Sequence, residues 1–196
     1  MTGTAKVLRY TAFTLMLLFG LLFGLFAAGY AFEDPGGWTA VLMTAGSVLP
    51  VVALAAYAMI RKEAAGPVFI AITAFVGLGT VLDSLVEIVP RDDWGPVLAI
   101  SVFSLGVALA FLGLYRATLA GLLMVGLAVV QLGSIVLLHL VHGGLAEGPR
   151  LGAMLGGSSG VVVVPLLLIG ILFLLAGTAA HEHLRIGHGP TASPAH

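Results

Sequence analysis

Four titratable side chains in this sequence have types and spacings that suit a shared chemical task. Asp83 and Glu87 are four residues apart, so both carboxylates lie on one face of a helix. His139 and His142, three residues apart, follow in a later segment. Carboxylates and neutral imidazoles together bind zinc, manganese or iron, and imidazole also titrates near neutral pH. The set predicts either a divalent-metal site or a proton relay, and Gln131 joins it as a cation-handling candidate.

The composition decides the setting in which these residues act. The chain has 196 residues, of which 60% are hydrophobic and 9% charged, and its mean hydropathy is +1.14. Soluble domains average about 25% charged residues, so the charges here are too few to cover a soluble core. The balance of 8 basic and 9 acidic residues excludes a nucleic-acid-binding surface, and the lack of cysteine excludes thiolate chemistry. We predict a multi-pass integral protein of the cytoplasmic membrane, with the lipid bilayer as its partner.

Charged residues divide the chain into six uncharged stretches, each long enough to cross about 30 Å of hydrocarbon as a helix. We predict an all-α fold, a bundle of six transmembrane helices in one domain over residues 1–187, with a flexible tail over residues 188–196. The turn between the fourth and fifth spans is predicted at residues 115–118, because one helix over both would far exceed the bilayer thickness. The spans are predicted near residues 9–31, 38–60, 66–89, 95–115, 118–142 and 157–180.

The distribution of lysine and arginine predicts the orientation. Basic residues favour the cytoplasmic side of a membrane, so the side with more of them is assigned to the cytoplasm, and both termini lie there. The first span is interpreted as a retained helix, since its apolar run exceeds the roughly 7–15 residues of a signal peptide. The inner side carries Lys6, Arg9, Arg61, Lys62, Arg116 and Arg185, and the outer side carries Arg91 and Arg150.

Small residues and prolines mark places where the helices pack or bend. Gly20, Gly24 and Ala28 recur every four residues in the first span, so one helical face would admit a second helix closely. That second helix belongs either to the same chain or to another copy. Pro50 and Pro165 fall inside spans two and six and predict kinks, since each removes a backbone hydrogen bond. Transporters line binding sites with such broken helices, although a kink without function is the alternative.

Three classes of function fit these features. The sequence favours a non-enzymatic accessory or scaffold subunit of a membrane assembly, with a membrane-protein partner or a second copy. The first alternative is a small proton- or cation-coupled permease that uses the acid–histidine group at the outer ends of spans three and five. The second is a metal-dependent membrane enzyme with the same group, although the motifs G-x-x-x-x-G-K-[ST] and H-E-x-x-H are absent from the sequence. A structural interpretation also remains open, in which Glu87 and His142 are interfacial and Asp83 pairs locally.

Overall fold

The structure, a computed structural model, describes residues 3–33, 37–86, 91–142 and 158–186. These residues form six α-helices and no strand: α1 Gly3–Glu33, α2 Gly37–Ile60, α3 Ala65–Val86, α4 Arg91–Gly113, α5 Ala117–His142 and α6 Ser158–Ile186. The shortest helix, α3, has 22 residues and is therefore about 33 Å long. Each helix is thus at least as long as the thickness of the hydrocarbon layer of a membrane, about 30 Å. The predicted tail, residues 188–196, lies outside the described residues.

Four of the helices carry a segment long and apolar enough to cross a membrane: Gly3–Leu25, Ala65–Val86, Ala117–Leu137 and Val162–Ala180. In the described parts of α2 and α4 the apolar segments are shorter, Val48–Ile60 and Ser101–Gly113. A helix satisfies its own backbone hydrogen bonds, as hydrocarbon requires. This all-helical architecture is the one expected of a helical membrane protein.

Helix α4 lies at the centre of the bundle, in contact with each of the other five helices. Two of its glycines allow close approach. A Cβ at Gly106 would lie 2.7 Å from the terminal methyl of Met16 in α1, and one at Gly113 would overlap the ring of Phe173 in α6. Larger residues at these positions would push the helices apart, so the small residues of α4 set the spacing of the core.

The first and last helices meet the α4–α5 turn at one end of the bundle. Arg9 of α1 donates a hydrogen bond of 3.0 Å to the carbonyl of Leu114. Gly177 of α6 lies directly against Thr118 in the first turn of α5. The start of α1, the end of α4 and the end of α6 are therefore neighbours, and α1 runs antiparallel to both α4 and α6.

The turn between α4 and α5 is short and closed by backbone hydrogen bonds. The N–H groups of Tyr115 and Arg116 donate to the carbonyl of Leu112, at 3.0 Å and 2.8 Å. The break between the helices thus includes Tyr115 and Arg116, two of the four residues (115–118) at which the sequence predicts a turn. The predicted kink positions lie inside continuous helices: α2 extends past an exposed Pro50, and α6 extends past a buried Pro165.

Candidate functional site

Buried polar side chains are concentrated on two neighbouring helices. Within the described part of the chain, every buried polar or charged side chain belongs to α3 or α5, while the rest of the core is apolar. Burying polar groups is costly in a membrane, so such a concentration is typical of a functional site or of polar helix packing. We call this group the polar seam, and it consists of Thr73, Thr80, Asp83 and Ser84 on α3 and Gln131 and Ser134 on α5.

The hydroxyl groups of α3 lie along one face of the helix. Thr73, Thr80 and Ser84 are separated by seven and four residues, which places them in one stripe. Thr80 Oγ1 donates to the carbonyl of Gly77 at 2.7 Å, and Ser84 Oγ donates to that of Val81 at 2.7 Å. Both hydroxyls therefore keep their lone pairs available as acceptors. Thr73 was missing from the sequence-based set, although its spacing of seven from Thr80 is a signal of a shared face.

Three oxygen atoms of the seam are buried without a hydrogen-bond partner among the described residues: Gln131 Oε1, Ser134 Oγ and Thr73 Oγ1. A buried polar group left unsatisfied costs about 1–3 kcal/mol. Native proteins rarely carry such groups, and a bound water molecule or ion is the usual partner. The seam therefore offers oxygen atoms suited to a water molecule or a small cation.

The two helices run parallel in a constant register. Arg116 bonds to the carbonyl of Glu63, which is 53 positions earlier. The same separation joins Leu119 to Gly66 and Val130 to Gly77, two glycines of α3 at which an added Cβ would meet α5 side chains. From Glu63 to Gly77, the contacts of α3 with α5 are thus offset by 53 residues.

This register gives the height of each candidate in the bundle. If the same offset continues along both helices, Asp83 is level with Val136, with Gln131 five residues before that level and His139 three residues after it. Three residues of helix rise about 4.5 Å. In height, Asp83 therefore lies between Gln131 and His139, about 7.5 Å from the level of the first and about 4.5 Å from that of the second.

The structure describes the acid–histidine set in part. Asp83 is buried, and Gln131 is buried on the neighbouring helix. Glu87 lies outside the described residues, and for His139 and His142 only the backbone, in α5, is described. Within the described residues no three His, Asp or Glu side chains form a group that could hold a metal. The convergence of the four titratable residues stays a prediction.

The small residues of α1 differ in their surroundings. A Cβ at Gly20 would lie 2.6 Å from Val107 Cγ2 of α4, whereas a Cβ at Gly24 would meet nothing within 4 Å in the described structure. Gly24 is exposed, and the side chain of Ala28 is outside the description. Gly20 therefore marks an internal contact of α1 with α4.

An open groove lies beside the seam, on the outer surface between α3 and α5. Its volume is about 420 Å³. Apart from Thr73 it is lined by apolar residues and glycines, among them Ile70, Leu78, Leu122, Gly126 and Val130. The surface between α3 and α5 is thus apolar, whereas both helices carry buried polar side chains.

Functional inference rests on this geometry, because comparisons with known proteins found no match. No protein-family model, no curated protein and no solved structure matches the chain.

Proposed function

We propose that this chain is an integral protein of the cytoplasmic membrane that crosses the bilayer six times, and that its polar seam passes or relays protons or small cations. The observation that carries the proposal is the concentration of buried polar side chains on α3 and α5. Polar residues inside membrane helices face protein or water and commonly mark ion and proton pathways. A permease that uses this seam would have Asp83 as its titratable group and Gln131 as its neutral oxygen ligand.

The proposed orientation has both termini in the cytoplasm. Contacts bring basic residues from three parts of the chain to one end of the bundle. Arg9 bonds to the α4–α5 turn, Arg116 bonds to the α2–α3 connection, and Lys62 Nζ lies 4.4 Å from the centre of the Tyr115 ring. An end rich in lysine and arginine favours the cytoplasmic side.

The orientation is tested by cysteine labelling, since the native chain contains no cysteine. Single cysteines at Gly37, Asp92 and Glu147 should react with a membrane-impermeant maleimide added to intact cells. A cysteine at Lys62 should react only after the cells are opened. Reversed labelling would overturn the orientation, and a different result at Glu147 alone would overturn the six-span count.

The chemistry proposed for the seam needs no covalent step. Oxygen ligands such as those of Gln131 and Ser134 suit a hard cation or a chain of water molecules. A carboxylate at Asp83 would attract the cation or take up the proton, and release would return the carboxylate to its starting state. Side chains alone thus supply a pathway with one titratable position.

Flux through vesicles containing the purified protein tests this role. Under an imposed K⁺ diffusion potential, an internal pH dye should report proton entry that Asp83→Asn reduces by about tenfold. Gln131→Leu should also reduce it. Thr178→Ala is the matched control, because the Thr178 hydroxyl bonds the carbonyl of Leu175 at 3.0 Å outside the seam. Folded wild-type protein with no flux of protons, Na⁺ or K⁺ above empty vesicles would refute the role.

A second candidate function, an accessory or scaffold subunit, is favoured by the apolar groove of about 420 Å³ between α3 and α5. A helix of a membrane partner or of a second copy would cover the exposed Leu78 and Leu122 there. Cysteines at these positions should then form cross-links in native membranes, while a cysteine at the exposed Leu21 should not.

A metal-dependent enzyme at Asp83, Glu87, His139 and His142 is distinguished by elemental analysis of the purified protein. It requires stoichiometric metal that both Asp83→Asn and His139→Ala remove.

A further inference from the structure

The basic end of the bundle contains a second feature, far from the seam. A cavity of about 310 Å³ lies where α1, the α4–α5 turn and the end of α6 meet. Its wall includes Arg9, Tyr115, Arg116, Thr118 and Gly177. Its volume is at the lower end of the roughly 300–1,000 Å³ typical of small-molecule sites.

Two arginines in this wall donate to neutral groups. Arg9 Nη1 bonds to the carbonyl of Leu114 and Arg116 Nη2 to that of Glu63, both at 3.0 Å. Neither bond goes to a carboxylate, so neither neutralises a positive charge. Arg9 Nε is buried and has no hydrogen-bond partner within the described structure. The two guanidinium groups therefore keep their positive charge at this end of the bundle.

The first turn of α5 adds backbone donors to the same wall. The earliest helical bond of α5 runs from the N–H of Ala120 to the carbonyl of Arg116, at 3.0 Å. The N–H groups of Ala117, Thr118 and Leu119 precede that bond, and all three residues line the cavity. Amides at a helix N-terminus carry partial positive charge and bind phosphate oxygens.

Two further side chains support an anion at this place. The wall residue Thr118 carries a hydroxyl, and Gly177, which also lines the cavity, packs directly against it. Lys62 Nζ lies 4.4 Å from the centre of the Tyr115 ring, which also lines the cavity, so a third positive charge is held nearby. Arginines, a lysine, a hydroxyl and free amides form a donor set that matches a phosphate group.

We propose that this cavity binds a phosphate group, either in the headgroup of an anionic phospholipid or in a soluble phosphate compound. Basic pockets between helices at the cytoplasmic side of membrane proteins have the charge and depth to hold lipid headgroups. The site lies at the end of the bundle where headgroups would be, and it is independent of the seam and of any flux through it.

Lipid binding to the purified protein in a neutral detergent tests the proposal. Phosphatidylglycerol should bind about tenfold more tightly than phosphatidylcholine in native mass spectra and in thermal-stability titrations. Arg9→Gln and Arg116→Gln should each weaken phosphatidylglycerol binding by about tenfold. Arg61→Gln and Lys6→Gln are matched controls, since both residues are exposed at the same end and line no part of this cavity. They should change binding by less than about threefold.

Two results would overturn the site. One is wild-type protein that shows no preference for phosphatidylglycerol. The other is a loss in Arg61→Gln as large as that in Arg116→Gln, which would indicate diffuse surface charge. If the arginine variants do not fold, the wild-type preference and the isosteric Thr118→Val variant, expected to bind more weakly, decide the question.

The source of the phosphate is settled by competition. Inorganic pyrophosphate that displaces phosphatidylglycerol at constant ionic strength indicates a soluble phosphate compound. Retention of the lipid through that challenge indicates a headgroup site.

Discussion

The two sides of helix α5 are built on different principles. On the side that faces α6, glycines bring the backbones into contact. A Cβ at Gly121 would lie 2.7 Å from the carbonyl oxygen of Gly170, and one at Gly170 would lie 3.1 Å from the backbone N of Val125. On the side that faces α3, an open groove remains, and the helix also carries the buried polar side chains of Gln131 and Ser134. The side that faces α6 is closely packed and apolar, whereas the rest of the helix borders a groove and carries polar groups.

This difference distinguishes packing that holds the helices together from packing that leaves polar groups available for a function. Lipid is as apolar as leucine, so helices in a membrane gain little from hiding apolar surface and rely on close contact through small residues. The glycine-mediated contact of α5 with α6 provides such a contact. The seam retains buried oxygen atoms, a costly arrangement that a site for water or an ion would explain. We therefore expect the contact of α5 with α6 to stabilise the bundle, and the seam residues of α3 and α5 to perform the function.

Enlarging the glycine at the α5–α6 contact should have the largest effect on stability. Gly121→Val should lower the free energy of unfolding by about 3 kcal/mol, because the new side chain meets backbone atoms that cannot turn away. Denaturant titration in detergent, followed by tryptophan fluorescence, measures the change. Gly126→Ala is the control on the α3 side of the same helix, where a Cβ would meet nothing within 4 Å. Equal losses in both variants would contradict the proposed difference between the two sides.

The sequence predicts the helices well because charged residues interrupt apolar runs. Glu63 and Arg116, for example, lie in the connections before α3 and α5, and the six predicted helices correspond to six described ones. Sequence alone gives no register between helices, so it does not reveal that Gly77 is level with Val130. It also treats Arg9 and Arg116 only as markers of orientation, since their approach to one cavity depends on tertiary packing.

Lipid-facing and protein-facing glycines are equally hard to separate by sequence, and a pair of variants in α1 distinguishes them. Gly20→Ile should lower the free energy of unfolding by about 1–2 kcal/mol, less than the change at Gly121, because the obstacle is the movable side chain of Val107. Gly24→Ile should leave stability unchanged, because its side chain would extend into lipid. The same denaturant titration applies. A larger loss at Gly24 would show that its face contacts another copy of the chain.

Removing a polar group from the seam should change the free energy of unfolding in the opposite direction and stabilise the protein. Gln131→Leu replaces a buried amide whose Oε1 has no partner in the described structure. The free energy of unfolding should rise by about 1 kcal/mol, because an apolar group of similar shape pays no desolvation penalty. Flux through vesicles should fall in the same variant. A loss of stability instead would mean that the amide is a structural bond of the bundle.

The smallest effect on stability is expected from two threonines that differ in hydrogen bonding. Thr73 and Thr80 are both buried on one face of α3, but Thr80 Oγ1 bonds to Gly77 and Thr73 Oγ1 has no partner among the described residues. Valine has nearly the same shape as threonine, so each substitution removes a hydroxyl and little else. Thr80→Val should lower the free energy of unfolding by about 0.5–1 kcal/mol, and Thr73→Val should leave it unchanged or raise it by up to about 0.5 kcal/mol.

Replicate denaturant titrations of the two variants and the double variant resolve this difference. The two changes should add, since seven residues of helix separate the hydroxyls by about 10 Å. Non-additive values would show that a chain of several water molecules couples the threonines, and the seam would then be a single connected site. A loss at Thr73 as large as that at Thr80 would mean that the Thr73 hydroxyl is satisfied, and the seam would then contain one fewer available oxygen.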